Sequence, residues 1–129
     1  MDEINDKFPD ELILKDGGMN NGKRIYILEH YFRFISSKGV IKAPKGFSSD
    51  LGSVPRLFQN IISKDGLALK IFIIHDFLYS DLNKNYTRLE SDQILMEGMI
   101  ILGVNWFTRQ AIYRSVRLMG WKFYRGYED

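Results

Sequence analysis

The sequence predicts an α+β fold, in which a small N-terminal antiparallel β-sheet is followed by three to four packed helices in a single domain. β-Branched and aromatic residues are concentrated in the first 50 residues, in short runs separated by turn-forming residues. After residue 50, apolar residues recur at helical spacing instead. No Pro- or Gly-rich linker divides the 129 residues, so both parts are expected to share one core.

The strands are predicted between residues 12 and 47. The clearest is 24–35, RIYILEHYFRFI, and the glycine-rich stretch before it, DGGMNNGK, is typical of a hairpin loop. A turn around Gly39 and another short strand that ends near Phe47 should follow, and residues 12–14 can add an edge strand. Residues 1–11 are predicted to form a peripheral acidic leader.

The first two helices are predicted to follow residue 53. Ser53 and Pro55 suit the cap and first turn of a short helix over residues 54–62, because proline is tolerated where its missing N–H would have no partner. Residues 66–81 are apolar at almost every position, which indicates a central, buried helix.

Two further helices have clear start signals. Thr87 and Glu90 form a capping box ahead of one helix, and Gly103 suits its end. Asn105 can cap the last helix, which begins at Trp106.

Composition narrows the classes of function. The chain contains no cysteine, which excludes disulfides, thiolate metal ligands and a cysteine nucleophile. Its net charge of +2 is too small to indicate nucleic-acid binding. The acidic N-terminus does not resemble a secretion signal, and no stretch approaches the roughly 18–20 apolar residues of a membrane span. The cytoplasm, or a particle assembled there, is the expected location.

Ionisable residues occupy apolar or structurally constrained positions. His75 and Asp92 lie on the apolar faces of their predicted helices, Asp76 follows His75 directly, and Asp50 lies between a strand and a helix. One interpretation is a catalytic pocket in which Asp50, His75 and Asp92 hold a divalent metal such as zinc, manganese or iron and Asp76 is a further carboxylate. The other is a buried hydrogen-bond network of structural importance. The spacing leaves both open.

The last helix carries a second candidate surface, roughly opposite its apolar stripe. Interleaved aromatic residues and arginine are typical of protein interfaces and of single-stranded nucleic-acid sites. Since no wider basic region accompanies them, we expect a protein partner or self-association rather than nucleic acid. The predicted interface residues are Trp106, Tyr113, Arg117, Trp121 and Tyr124.

Four motifs, GFSSDLGSVPR, HDFLY, TRLESD and VRLMGW, occur in this order between about residues 24 and 122. Together they resemble an uncharacterised family of small bacteriophage and prophage proteins with the pattern Gly-Phe-x-Ser/Thr-Asp-x-x-Ser-x-Pro, His-Asp-x-Leu-Tyr, Arg-x-x-x-Asp and Gly-aromatic. The resemblance implies a phage origin but supplies no activity. The residues that match the pattern are Gly46, Phe47, Asp50, Ser53, Pro55, His75, Asp76, Tyr79, Arg88, Asp92, Gly120 and Trp121.

Two hypotheses therefore remain. The first is a phage accessory protein that acts as a metal-assisted hydrolase on a phosphoester or cell-wall bond, through Asp50, His75, Asp76 and Asp92. The alternative is a non-enzymatic virion component or a protein that binds a host factor, in which Asp50, His75 and Asp92 have a structural role. The location would be the host cytoplasm or the phage virion.

Overall fold

The predicted α+β architecture is confirmed in a computed structural model, which describes residues 2–58 and 66–128. A short helix precedes the strands, and the longer helices follow them. In chain order the elements are α1 (Asp2–Lys7), β1 (Leu14–Asn20), β2 (Lys23–Leu28), β3 (Phe32–Ser36), β4 (Gly39–Ala43), β5 (Ser48–Ser49), a 3₁₀-helix (Arg56–Phe58), α2 (Leu69–Tyr79), α3 (Arg88–Ile101), α4 (Trp106–Met119) and a second 3₁₀-helix (Gly120–Lys122).

The strands form a three-stranded sheet of order β1-β2-β5 and a separate β3-β4 hairpin, both antiparallel. The glycine-rich stretch predicted as a loop is instead mostly strand β1, and the turn lies at Asn21 and Gly22. Both residues have positive φ values, 52° and 77°, which suit a tight two-residue hairpin turn. The predicted strand over 24–35 is interrupted at residues 29–31 and divides between the two sheets.

The predicted capping signals of the later helices are confirmed. Thr87 and Glu90 form the capping box at the start of α3, and the Asn105 side chain accepts a hydrogen bond from the Thr108 N–H at the start of α4. The helix predicted over 54–62 is a single 3₁₀ turn at Arg56–Phe58, and residues 59–62 lie outside the described part of the chain. No helix in residues 2–58 and 66–128 is long and apolar enough to cross a membrane.

Helix α2 lies at the centre of the molecule and packs against α3, β3, β4 and β5. The core around it also receives a residue from the acidic leader, because Phe8 is only 2% exposed. The Phe8 ring stacks on Phe34 of β3 with 4.4 Å between the ring centres. The leader, predicted to be peripheral, therefore contributes to the core through one aromatic side chain.

Candidate functional site

Asp76 of α2 fastens the loop after β5 to the helix. Its carboxylate accepts hydrogen bonds from the hydroxyl groups of Ser49 and Ser53 and, at 3.0 Å, from the backbone N–H of Ser53. The Ser49 oxygen also accepts the backbone N–H of Leu51 at 3.0 Å. Hydrogen bonds to a carboxylate are stronger than bonds between neutral groups. Asp76 therefore holds residues 49–53 against α2.

Leu51 gives this loop its shape. Its φ of 61° lies in the left-handed region, which costs a residue other than glycine roughly 1–3 kcal/mol. The buried Leu51 side chain and a 3.0 Å hydrogen bond from the Val54 N–H to the Leu51 carbonyl accompany this conformation. Backbone strain of this kind is found where the surrounding structure fixes a functional group in place. Here it turns the chain so that Ser53 meets α2.

His75 connects this loop to helix α3. Its Nε2 lies 2.8 Å from Oδ1 of Asp92, and its Nδ1 lies 3.0 Å from Oγ of Ser53. The predicted burial of His75 and Asp92 is confirmed, since each is 0% exposed. A continuous hydrogen-bonded chain thus runs from Asp92 through the imidazole ring to Ser53 and on to Asp76.

The chain permits two arrangements of its protons. An ionised Asp92 only accepts, so Nε2 of His75 carries a proton in both. With a neutral ring, Nδ1 is an acceptor, and the Ser53 hydroxyl can donate either to it or to Asp76. One hydroxyl proton is therefore shared between two competing acceptors.

Asp92 is neutralised from several sides. Its Oδ1 also accepts the Tyr79 hydroxyl at 2.7 Å, while Oδ2 lies 2.7 Å from Nη1 of Arg117 and 3.5 Å from Nη1 of Arg88. Burial opposes ionisation, but the hydrogen bonds from His75, Tyr79 and Arg117 outweigh it and hold the pKa of Asp92 below 3.8. Burial, reinforced by the Asp92 charge, raises the pKa of Tyr79, so its hydroxyl remains a donor.

Gly120 allows this cluster to close. A Cβ atom at this position would lie 2.4 Å from the Tyr79 hydroxyl oxygen and 3.2 Å from Nη1 of Arg88. Arg88 in turn donates hydrogen bonds to the carbonyl groups of Val116 at 3.0 Å and Arg117 at 3.3 Å. The end of α4 therefore packs directly on the residues that surround Asp92.

The loop side of the network faces an open cleft of about 460 Å³. Ser49, Ser53 and Asp76 line it, together with Asp50, and the cationic residues Lys23 and Arg125 belong to the same lining. The complete lining is Asn20, Lys23, Ile25, Phe47, Ser48, Ser49, Asp50, Gly52, Ser53, Asp76, Tyr79, Ser80, Phe123 and Arg125. The buried His75–Asp92 pair thus reaches the surface through Ser53.

The predicted site residues are partly brought together. His75 and Asp92 are bonded directly, and Asp76 joins them through Ser53. Asp50 lines the same cleft, but its Oδ1 accepts the Gly52 N–H at 2.7 Å. Within residues 2–58 and 66–128, no group of three or more His, Asp or Glu side chains is arranged to hold a metal ion. The donor set predicted for a metal, Asp50 with His75 and Asp92, is therefore not assembled, because Asp50 stays in its own turn.

Sequence reasoning did not connect Ser53, Tyr79 and Arg117 directly to the His75–Asp92 pair, which all three contact. Ser53 was assigned to a helix cap, but its hydroxyl forms hydrogen bonds with Asp76 and His75. The spacing of four residues between His75 and Tyr79 was a usable signal, because it places both side chains on one helix face. No local signal indicates Arg117, which reaches Asp92 from an element 25 residues away.

The predicted interface residues do not share one surface. Trp106 and Trp121 are 53% and 63% exposed, and Tyr113 is half-buried. Arg117 instead binds Asp92, because that buried carboxylate needs a cation. Tyr124 is buried, and its hydroxyl donates to the Tyr86 carbonyl at 2.7 Å. The exposed large apolar residues of α4 and of the segment after it, up to residue 123, are Trp106, Phe107, Leu118, Met119, Trp121 and Phe123.

Comparison with known proteins identifies a family without an assigned activity. The model of the DUF1353 family, described as a protein of unknown function, matches residues 26–116. That range covers more than half of the chain and contains Ser53, His75, Asp76 and Asp92. No curated protein and no solved structure matches the chain. The chain belongs to the DUF1353 family.

Proposed function

We propose that the protein is a hydrolase of carboxylic esters or amides, with Ser53 as the nucleophile, His75 as the general base and Asp92 as the group that orients the ring. The observation that carries this proposal is the hydrogen-bonded chain from Asp92 through His75 to Ser53, which ends in an open cleft. A serine hydroxyl bonded to a histidine, which is in turn bonded to a carboxylate, is the arrangement that activates serine nucleophiles on unrelated folds.

In the acylation step, Ser53 Oγ attacks the carbonyl carbon while its proton moves to Nδ1 of His75. Asp92 accepts the Nε2 proton in a hydrogen bond and stabilises the imidazolium. When the tetrahedral intermediate collapses, the leaving group takes the proton from Nδ1. Water then attacks the acyl-serine with the same ring as base, which releases the acid and restores the Ser53 hydroxyl.

The two ring nitrogens have exchanged roles relative to the usual serine-protease arrangement. In serine proteases the serine is hydrogen-bonded to Nε2 of the histidine and the carboxylate to Nδ1. In this protein Ser53 is hydrogen-bonded to Nδ1 of His75 and Asp92 to Nε2. Either nitrogen can take the proton when the other donates to a carboxylate, so the relay is chemically equivalent. The metal-assisted form of the hydrolase hypothesis is not retained, since Asp50, His75 and Asp92 do not form a group arranged to hold a metal ion in the part of the chain that the structure describes.

Two features of the cleft support this chemistry. Asp76 fixes the Ser53 backbone by accepting its N–H at 3.0 Å, which limits the positions that the nucleophile can adopt. Lys23 and Arg125 line the cleft, and their positive charges suit the negative oxygen of a tetrahedral intermediate.

A fluorophosphonate probe tests the proposal directly. The probe should label Ser53, as located by peptide mass spectrometry, and Ser53→Ala should abolish labelling and the hydrolysis of p-nitrophenyl esters. His75→Gln should slow labelling by about 100-fold or more, the usual loss when a general base is removed. Ser37→Ala is the matched control, because Ser37 does not line the cleft.

If the folded wild-type protein is neither labelled nor active on any ester or amide, Ser53 is not a nucleophile. The network would then serve only the fold, and His75→Gln would appear as a loss of stability without a loss of reactivity.

A second function, binding to a protein partner, is favoured by exposed apolar residues at the start of α4 and just after its end. Trp106, Phe107 and Trp121 expose large apolar surfaces, which are typical of interaction sites. In this proposal the protein is a phage virion component or binds a host factor. Its detection in purified particles, or its co-purification with one host protein, would support this function, and Trp121→Lys should abolish the association. A strictly monomeric chain that is absent from particles and has no partner would contradict it.

A further inference from the structure

Ser53 lines two cavities of different character. Besides the polar cleft, a smaller pocket of about 280 Å³ adjoins the same loop. Both cavities share Lys23, Gly52, Ser53 and Phe123 in their linings. A molecule that occupies both would therefore pass the Ser53 hydroxyl.

The second pocket is mainly apolar. The loop after Ser53 supplies Val54 and Pro55, and the end of α4 supplies Val116 and Met119. Val54 and Val116 are buried core residues, so the base of the pocket is fixed by packing.

We infer that this pocket binds the acyl chain of the substrate, an inference that rests on the hydrolase function proposed above. The leaving group must lie near His75, because Nδ1 returns the proton to it. Asp76 and Tyr79, which flank His75 on α2, line the polar cleft and not the apolar pocket. The leaving group therefore belongs in the polar cleft, and the acyl chain belongs in the apolar pocket that Ser53 also lines.

The size of the pocket limits the acyl chain. At about 30 Å³ per heavy atom, the share of a water molecule in the liquid, a pocket of about 280 Å³ holds about nine heavy atoms. An octanoyl group has about that number of heavy atoms, and the shorter hexanoyl group also fits. The substrate class is therefore an ester or amide with a medium-length apolar acyl group and a polar leaving group.

A series of p-nitrophenyl esters of increasing chain length provides the test. Burial of each methylene should raise kcat/KM roughly fourfold, so hexanoate should exceed acetate by roughly 200-fold. Esters longer than octanoate should gain nothing further, because the pocket is full.

Variants at neighbouring positions of α4 separate the pocket from general effects. Met119→Trp fills the pocket and should lower the ratio of hexanoate to acetate kcat/KM at least tenfold. Leu118→Trp introduces the same ring at the preceding residue. Leu118 is 78% exposed and lies outside the pocket, so this variant should leave the ratio unchanged. Ester hydrolysis without a preference for chain length, or with equal ratios in both variants, would overturn the acyl-pocket inference while the hydrolase function stands.

A binding measurement does not depend on turnover. Hexanoate, titrated into the wild-type protein, should shift the amide NMR signals of Val54, Val116 and Gly120 more than acetate does, and Met119→Trp should remove the difference. Shifts without ester hydrolysis would support an apolar ligand site and refute the hydrolase. If neither hydrolysis nor shifts occur, both proposals are refuted.

Discussion

Replacement of Asp92 by Asn tests how much the buried network contributes to the fold. The Asn oxygen can still accept hydrogen bonds from His75 and Tyr79, but its NH₂ group would then face Nη1 of Arg117, which lies 2.7 Å from the carboxylate. Removal of one partner from a buried ion pair costs about 3–5 kcal/mol. The Arg117 and Arg88 side chains are 30% and 22% exposed and can regain some hydration, so we expect a loss of about 2–4 kcal/mol.

Urea-induced unfolding, followed by circular dichroism, measures this loss as a lower midpoint with an unchanged slope. Asp16→Asn is the control, because it removes an ion pair to Arg24 whose members are 62% and 52% exposed. That variant should show no measurable change. Equal midpoints for Asp92→Asn and the wild-type protein would refute the conclusion that Asp92 holds α2, α3 and α4 together.

Three further predictions concern stability. The pKa of Asp92 in the folded state lies below its unfolded value of 3.8. The stability that the ionised Asp92 gives the fold is therefore complete above pH 3.8 and is lost as the pH falls through the folded pKa. In acid titrations from about pH 5 to pH 2, Asp92→Asn should lose less stability than the wild type. Gly120→Ala should lower the free energy of unfolding by about 1–3 kcal/mol, because the added Cβ overpacks against the Tyr79 hydroxyl. Tyr79→Phe removes that hydroxyl, so it should cost less in the Gly120→Ala background than alone, which a double-mutant cycle of thermal unfolding can measure. Phe8→Ala should lower the free energy of unfolding, measured in urea, by about 3–5 kcal/mol, because Phe8 stacks on Phe34. A loss below about 1 kcal/mol would show that the leader is dispensable for the fold.

The sequence predicted elements whose signals are local. The start of α3 depends on Thr87 and Glu90, which bond to each other, so their spacing was sufficient. The turn of the glycine-rich hairpin lies at a different place than predicted. Strand pairing, rather than glycine content, decided that Asn21 and Gly22 form this turn. Local signals predict the existence of a hairpin better than its register.

The site was predicted only in part, for a related reason. The apolar positions of His75 and Asp92 correctly indicated buried groups that need partners. The identity of those partners depends on tertiary geometry: Ser53 arrives through the left-handed turn at Leu51, and Arg117 arrives from α4. Helix periodicity assigns a charged residue such as Arg117 to the solvent side, and the buried carboxylate overrides that rule.

If Ser53 is the nucleophile proposed above, the sharing of its proton between Asp76 and His75 sets stability against reactivity at a single atom. When the Ser53 hydroxyl donates to Asp76, it holds the loop but cannot donate to the imidazole ring. When it donates to the ring, the loop loses this hydrogen bond to Asp76. Mutations selected only for thermal resistance should therefore strengthen the Asp76 side and slow the chemistry. In this fold, a hyperstable variant and a fast variant are expected to be different molecules.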